Sequence, residues 1–351
     1  MRTCHFQQTT NLVFIKVHKC ASSSVANAIV RFGLENQLNI GLPKYERGHI
    51  GWPRKFSSSD VDNVQQDQPV NILTHHLVYD AQELKKFMPR GTRYVAILRD
   101  PFEQFKSTMN YFHELRQLDI ADPHLRVQTF LSDPAKFERK IFFKIEGRDL
   151  GYKSLTRNFM STDLGMPEKY FDNPKLVADY IRYLDRNLDL VLISEYFNVS
   201  MVMLRRLLGW SLSDVVTMTI NYKSRTQWMD DENALREKHK TWSLVDYKLY
   251  DYFNNTFWLK VAQQGEEGIL AEARHLEKLN RLFLAYCLQR KDRGFYILPA
   301  SRWNGPARIT SKTCELAQSQ PYILTGKIRQ YMLGLRGARQ KMKNDFDRND
   351  Q

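Results

Sequence analysis

Short apolar runs alternate with longer stretches of helical periodicity along most of the chain. Leu12-Val-Phe-Ile-Lys-Val17 is β-branched and aromatic, the profile of a buried strand. Val25, Ala28, Ile29 and Phe32 then recur at helical spacing, and Gly33 is placed to end that helix. Between strand and helix lies a polar loop, His18-Lys-Cys-Ala-Ser-Ser-Ser24. Val70-Asn-Ile-Leu73 predicts a second strand, followed by Thr74, His75 and His76 and by a helix through Leu84 and Phe87 that stops near Pro89. Tyr94-Val-Ala-Ile-Leu98 predicts a third. Beyond it, Asp100 and Glu103 flank Pro101 in capping-box spacing at the head of a helix through Phe102, Phe105, Met109 and Phe112. Leu188-Asp-Leu-Val-Leu-Ile193 predicts a fourth strand, and the helix of Met201, Leu204, Leu207 and Leu208 after it closes at Gly209.

Strands alternating with helices predict an α/β protein, its mainly parallel sheet covered by helices on both faces. From Asp230 to Arg290 the pattern is helical and amphipathic; beyond Lys291 it fades, and the stretch after Lys341 reads as frayed. The chain divides on this pattern into a main domain over residues 1–290 and a basic, partly helical C-terminal extension over residues 291–351.

Composition adds a partner class. With 42% hydrophobic and 26% charged residues the chain can bury a core, and its net charge of +13 favours an anionic partner: a nucleotide, nucleic acid, acidic glycan or membrane surface. Part of the excess sits in a C-terminal run of Lys327, Arg329, Arg336, Arg339, Lys341 and Lys343, the pattern of a solvated or surface-binding face. Cys4, Cys20, Cys287 and Cys314 are too few for a disulfide framework and form no zinc-type pair, so no metal is expected. Asn198-Val-Ser200 and Asn254-Asn-Thr256 are glycosylation sequons. No apolar stretch approaches the ~20 residues of a membrane span. The chain opens almost directly on the strand at Leu12, as expected of a soluble protein or of one whose N-terminal anchor and stem are absent from this chain.

The loop after the first strand is the first chemical signal. Successive backbone N–H groups at a helix start can cradle an anion, Lys19 adds a point charge and the serines add hydroxyls. The loop lacks the G-x-x-x-x-G-K-[ST] spacing, which argues against a nucleotide kinase. It also reads as a Ser-rich helix cap with a solvent lysine. Arg99, at the end of the third strand, and Ser107, two turns into the next helix, can jointly hold a second phosphate; alternatively Arg99 pairs with Asp100 or Glu103. Two anion sites at the carboxyl ends of parallel strands suit a nucleotide with two separate phosphate groups.

At these residues the sequence resembles the galactose-3-O-sulfotransferase family. Lys16-Val-His-Lys-Cys-Ala-Ser-Ser-Ser24 is similar to that family's 5′-phosphosulfate loop, K-T-H-K-T-x-S-S-T, with Val17, Cys20 and Ser24 in place of threonines. Arg31-Phe-Gly33 and Leu42-Pro43 match next, Thr74-His-His-Leu77 resembles a histidine segment, and Ile97-Leu-Arg-Asp-Pro101 with Ser107 resembles the 3′-phosphate motif. Arg157-Asn158, Asp163-Leu-Gly165, Ser194-Glu-Tyr-Phe197 and the helical stretch from Trp242 to Val261 extend the likeness over about residues 10 to 290.

The resemblance implies a P-loop-like sulfotransferase fold with a helical C-terminal part. It implies transfer of a sulfuryl group from 3′-phosphoadenosine 5′-phosphosulfate to the 3-hydroxyl of galactose in a glycolipid such as galactosylceramide, or in a glycan, with no metal. It further implies a Golgi-lumen, membrane-anchored glycoprotein whose anchor this chain lacks, no nucleic-acid partner, and a homodimer as an open question. Donor binding falls to Lys16, Lys19, Cys20, Ala21, Ser22, Ser23, Ser24, Arg99 and Ser107. Catalysis falls to Lys19, which neutralises the leaving oxygen, and to a histidine base. His76 is the first candidate, by resemblance to the catalytic histidine position of uronyl 2-O-sulfotransferases; His18 is second. His75 is third, because neighbours on an extended chain point opposite ways. Arg157 and Asn158, and the basic turn of Lys223, Ser224 and Arg225, are placed at acceptor or donor. Two rivals stand beside this reading, a uronyl sulfotransferase of glycosaminoglycans and a non-catalytic binder of anionic polymers.

Overall fold

The computed structural model of the chain describes residues 8–44, 48–112, 125–138, 140–145, 148–218, 232–289 and 294–349. Four strands, β1 (Leu12–Ile15), β2 (Ile72–Leu73), β3 (Arg93–Leu98) and β4 (Leu190–Ile193), pair in parallel in the order β2-β1-β3-β4. Every residue of β1 and β4 is buried, which is why the strands read as unbroken apolar runs instead of alternating. From β1 the chain moves outward to β2, then returns to the other side of β1 as β3. The winding therefore reverses between β1 and β3, and their carboxyl ends bound the crevice where open α/β sheets bind ligands.

Helix α1 (Ser22–Glu35) follows β1, α2 (Ala81–Phe87) follows β2 and α3 (Pro101–Tyr111) follows β3. After α4 (Phe159–Asp163) and α5 (Pro174–Asn187), α6 (Phe197–Leu208) follows β4 and ends at Gly209 with φ 68°. The long amphipathic stretch divides into α7 (Glu232–Trp242), α8 (Leu244–Gln263) and α9 (Glu266–Gln289), and the C-terminal segment carries α10 (Ser311–Gln318) and α11 (Pro321–Asn349).

Two sequence expectations shift at helix ends. Gly33 does not end α1; the helix runs on to Glu35, and Gln37 takes the left-handed φ of 53°. A Cβ on Gly33 would lie 2.8 Å from Ile72 Cδ1 and 3.0 Å from Ile40 Cδ1, so the glycine serves close packing of α1 against β2. At α3, the Asp100 carboxylate accepts the Glu103 N–H at 2.9 Å, as a cap should. The return half of the box is absent: the Asp100 N–H donates to Glu195 at 3.0 Å, and Glu103 turns to Arg99 and Lys106.

The C-terminal segment packs on the same core. Leu324, Ile328 and Met332 of α11 belong to the main apolar cluster, and the Gln65 amide donates to the Met332 carbonyl at 2.9 Å. Lys327 pairs with Glu315 and Arg329 with Asp62, so these two cations bind the helix to the body and do not form a solvated face. The helix continues to Asn349, past the point where fraying was expected. One disulfide, Cys287–Cys314, joins α9 to α10 across 27 residues, while Cys20 is free and buried. Among the described residues the cysteines thus supply one staple, short of a disulfide framework. Replacing Cys314 with serine is expected to cost about 2–4 kcal/mol, read as a lower thermal midpoint that reducing agent no longer shifts.

Among the described residues no helix is long and apolar enough to cross a membrane. Both sequons fall inside helices, α6 and α8, and the Ser200 hydroxyl is buried against the Ile193 backbone.

Candidate active site

Beyond Ile15 the backbone passes through residues 16–21 with Lys19 and Ala21 in the left-handed region, φ 62° and 57°. Ala21 is the residue before α1, and no side chain caps the helix's first turn. An uncapped first turn behind left-handed residues forms a nest of N–H groups suited to an anion. Lys16 is buried at the mouth of this loop, and burial, then the charge of Lys19, pushes its ammonium down to about 8. An anion between the two lysines would relieve both effects. Lys19 places its Nζ 3.6 Å from the centre of the Tyr111 ring.

The loop's other side chains divide by role. Ser22 donates its hydroxyl to the Val17 carbonyl at 2.7 Å and Cys20 turns into the core, its thiol pushed well up by burial, so both can offer a ligand only their backbone. Ala21 is exposed, and Ser23 and Ser24 are half-buried in the first turn of α1.

Arg99 closes on this loop from the end of β3. Its guanidinium donates to the Lys19 carbonyl at 3.2 Å and lies 3.5 Å from Glu103, so the alternative ion pair is real and coexists with the loop contact. Gln104, one turn into α3, donates to the His18 carbonyl at 3.2 Å. Arg99 and the loop therefore meet at the reversal between β1 and β3. Ser107 is half-buried farther along α3.

Beside the loop sits a cluster that no local pattern announces. His18 and His76 stack with ring centres 3.7 Å apart and planes 12° from parallel; His49 lies 5.4 Å from His76 and 5.9 Å from His18. Phe159 stacks on His18 at 4.9 Å and Trp52 leans against it at 4.8 Å. The His76 Nδ1 is 2.6 Å from the Lys16 carbonyl, which can only accept. Nδ1 therefore carries the proton and Nε2 the lone pair. Burial, then the charges of His18, Lys16 and His49, holds His76 well below the usual imidazole range, so it is neutral at neutral pH.

Asp163 is the hub beneath. Its carboxylate accepts the His18 N–H and Nδ1–H, each at 2.8 Å, and the Trp52 indole N–H at 2.8 Å. Helix α4, which carries Asp163, is itself held from α8: Asp246 accepts the Ser161 N–H at 2.8 Å and the Met160 N–H at 3.1 Å. Asn158 enters α4 with φ 52°, and its side-chain oxygen accepts from Val245 and Asp246 backbone N–H groups. Asn158 thus positions α4 and is itself buried. At the far end of α4, Gly165 has φ 78°, and a Cβ there would stand 2.1 Å from the Tyr79 carbonyl. Gly165→Ala is expected to destabilise the chain by about 2–3 kcal/mol, measured by denaturant unfolding, because strain and overlap add.

His75 points the other way. Its Nε2 lies 3.0 Å from the Thr325 hydroxyl of α11, and burial, then Lys16 and Arg329, pushes its pKa down to about 3. It faces α11, outside the imidazole cluster. Arg157 pairs with Asp172 at 3.1 Å and lies over Trp242, on a separate cleft. Lys223, Ser224 and Arg225 lie outside the described residues. Sequence reading did not single out His49 or Trp52, and it placed Asp163 and Glu195 only within matched segments, Asp163-Leu-Gly165 and Ser194-Glu-Tyr-Phe197.

A family model for galactose-3-O-sulfotransferases matches residues 2–295. The chain belongs to that family. It is 34% identical over 289 residues to the pig (Sus scrofa) galactose-3-O-sulfotransferase 2, covering 80% of this chain and 69% of that protein. It is 33% identical over 280 residues to the mouse (Mus musculus) galactose-3-O-sulfotransferase 3, covering 79% of this chain and 63% of that protein. It is 29% identical over 286 residues to the human (Homo sapiens) galactosylceramide sulfotransferase, covering 80% of this chain and 65% of that protein. Membership makes the chain a carbohydrate sulfotransferase. For a galactose-3-O-sulfotransferase family member, the loop at residues 16–24, Arg99 and the stacked histidines fall within the matched span. Among the described residues no cluster of His, Cys, Asp or Glu could hold a metal ion.

Proposed function

We propose that this enzyme moves the sulfuryl group of 3′-phosphoadenosine 5′-phosphosulfate to the 3-hydroxyl of a galactose at the end of a glycan or glycolipid. The observation that carries the reading is the meeting of a neutral, tethered imidazole, His76, with a cationic N–H nest at the reversal between β1 and β3. The donor's 5′-phosphosulfate fits the nest with Lys16 and Lys19. Its 3′-phosphate fits Arg99 at the end of β3, with Ser107 on the helix that follows, α3. These are the partners that a doubly anionic nucleotide needs.

In the step, the acceptor oxygen forms a bond to sulfur while the bond from sulfur to the bridging phosphate oxygen breaks. The electron pair leaves on that oxygen, giving 3′-phosphoadenosine 5′-phosphate, and Lys19 offsets its charge. The hydroxyl proton passes to His76 Nε2. His76 is half-buried whereas His18 is 5% exposed, which favours His76 as the group a sugar can reach. His18, locked by Asp163, packs against the base and keeps its plane fixed.

A disulfide between Cys287 and Cys314 suits an oxidising compartment, in keeping with action in the Golgi lumen. The test is an acceptor panel with the radiolabelled donor, comparing terminal β-galactosides with heparan and chondroitin chains. Label in the 3-position of galactosides alone is expected. Label entering uronic acid chains would replace the reading with a glycosaminoglycan sulfotransferase.

A further inference from the structure

Lys19 has to keep a mobile ammonium in place beside a second cation. Its backbone is fixed: the Lys19 carbonyl accepts from Arg99 at 3.2 Å, and the His18 carbonyl accepts from Gln104 at 3.2 Å. The side chain is less constrained, because a lysine stem is flexible and its head is strongly hydrated. Lys16 lies on the same loop, and the Lys19 charge is one of the two causes that lower its ammonium, so the two cations repel. That repulsion favours a Lys19 turned out into water, away from any donor.

The ring of Tyr111 opposes it. The Lys19 Nζ stands 3.6 Å from the ring centre, well inside the ~6 Å reach of a cation–π contact. Tyr111 closes α3, the helix that also supplies Gln104, so loop and ring share one support. Phe112 meets the ring edge to face at 5.2 Å, with planes 86° apart, and itself lies 6.1 Å from His18 and from Phe159. Tyr111 is 60% exposed, so its ring contributes little to the core and can be changed without emptying it. An aromatic face attracts an ammonium through its quadrupole and carries no net charge. Unlike a carboxylate, it leaves the positive charge of the loop intact for an anion. We infer that Tyr111 is a positioning residue, whose ring holds the Lys19 ammonium at the anion loop before the donor arrives. The inference rests on the donor reading above and adds to it the group that readies Lys19.

The experiment is a double-mutant cycle between Tyr111 and Lys19 in the full chain, read by calorimetric titration with 3′-phosphoadenosine 5′-phosphate. Tyr111→Leu is expected to raise Kd for the nucleotide about two- to fivefold, the worth of an exposed cation–π contact, and Tyr111→Phe to restore it. In the Lys19→Met background, Tyr111→Leu is expected to change Kd no further. An equal loss in both backgrounds would overturn the inference, because the ring would then act on the ligand and not through Lys19. So would an unchanged Kd in Tyr111→Leu. A second measurement needs neither nucleotide nor turnover. The NMR resonance of the Lys19 ε-methylene protons, identified by its absence in Lys19→Met, is expected upfield under the Tyr111 ring current. Tyr111→Phe should keep that shift and Tyr111→Leu should lose it. If the wild-type chain binds no nucleotide yet shows the shift, the donor reading fails and the hold on Lys19 stands; absence of the shift in the wild-type chain refutes the hold itself.

Discussion

Replacing His76 with alanine is expected to lower kcat by about 10²–10⁴-fold while the affinity for 3′-phosphoadenosine 5′-phosphate changes less than about twofold. The separation follows from geometry. His76 touches the Lys16 carbonyl and the His18 ring, whereas the donor partners proposed above are backbone N–H groups, Lys16, Lys19 and Arg99. Calorimetric titration with the nucleotide product reports the second quantity, single-turnover transfer the first. A pH profile sharpens the test. The base works as the neutral imidazole, so activity is present above its pKa and lost as pH falls through it. Because burial and neighbouring charges depress His76, the acid limb should lie well below pH 6.5 in the wild-type enzyme. Near-normal turnover in His76→Ala would transfer the role to His18, whose Nδ1 is already fixed on Asp163 at 2.8 Å.

The second large effect is expected at Lys19. Lys19→Met keeps most of the side chain's volume and removes its charge, and should lower kcat about 10²–10³-fold by leaving the departing phosphate oxygen uncompensated. Product-nucleotide affinity should weaken by a smaller factor, since the nest's amides and Lys16 persist. Lys19→Arg is expected to recover only part of the rate, because a planar fork does not replace a compact point charge. Unchanged kcat in Lys19→Met would remove Lys19 from the transfer step.

Much of this architecture is legible locally. The apolar runs at Leu12, Val70, Tyr94 and Leu188 become the four strands, the Asp100–Pro101 start becomes the cap of α3, and Gly209 closes α6. Such features depend on a few neighbouring residues: burial on both faces for a strand, a side-chain oxygen for a cap, a positive φ for a helix end. Gly33 shows where local reading stops. Its missing side chain matters because Ile72, 39 residues away in sequence, packs against it, and nothing near Gly33 distinguishes that need from a helix stop. The disulfide and the ion pairs that bind α11 are of the same kind, since each joins segments that only the fold brings together.

The sequence by itself determined the strand–loop–helix unit that carries Lys16 and Lys19, the place of Arg99 at the end of β3, and the opposite orientation of His75 and His76, because each follows from backbone geometry over a few residues. Only the tertiary structure decided which histidine meets which partner. Stacking of His18 on His76 and the carboxylate of Asp163 beneath them join residues separated by tens to well over a hundred positions. Contacts of that range are set by how buried surfaces fit, and surface fit is a property of the packed molecule.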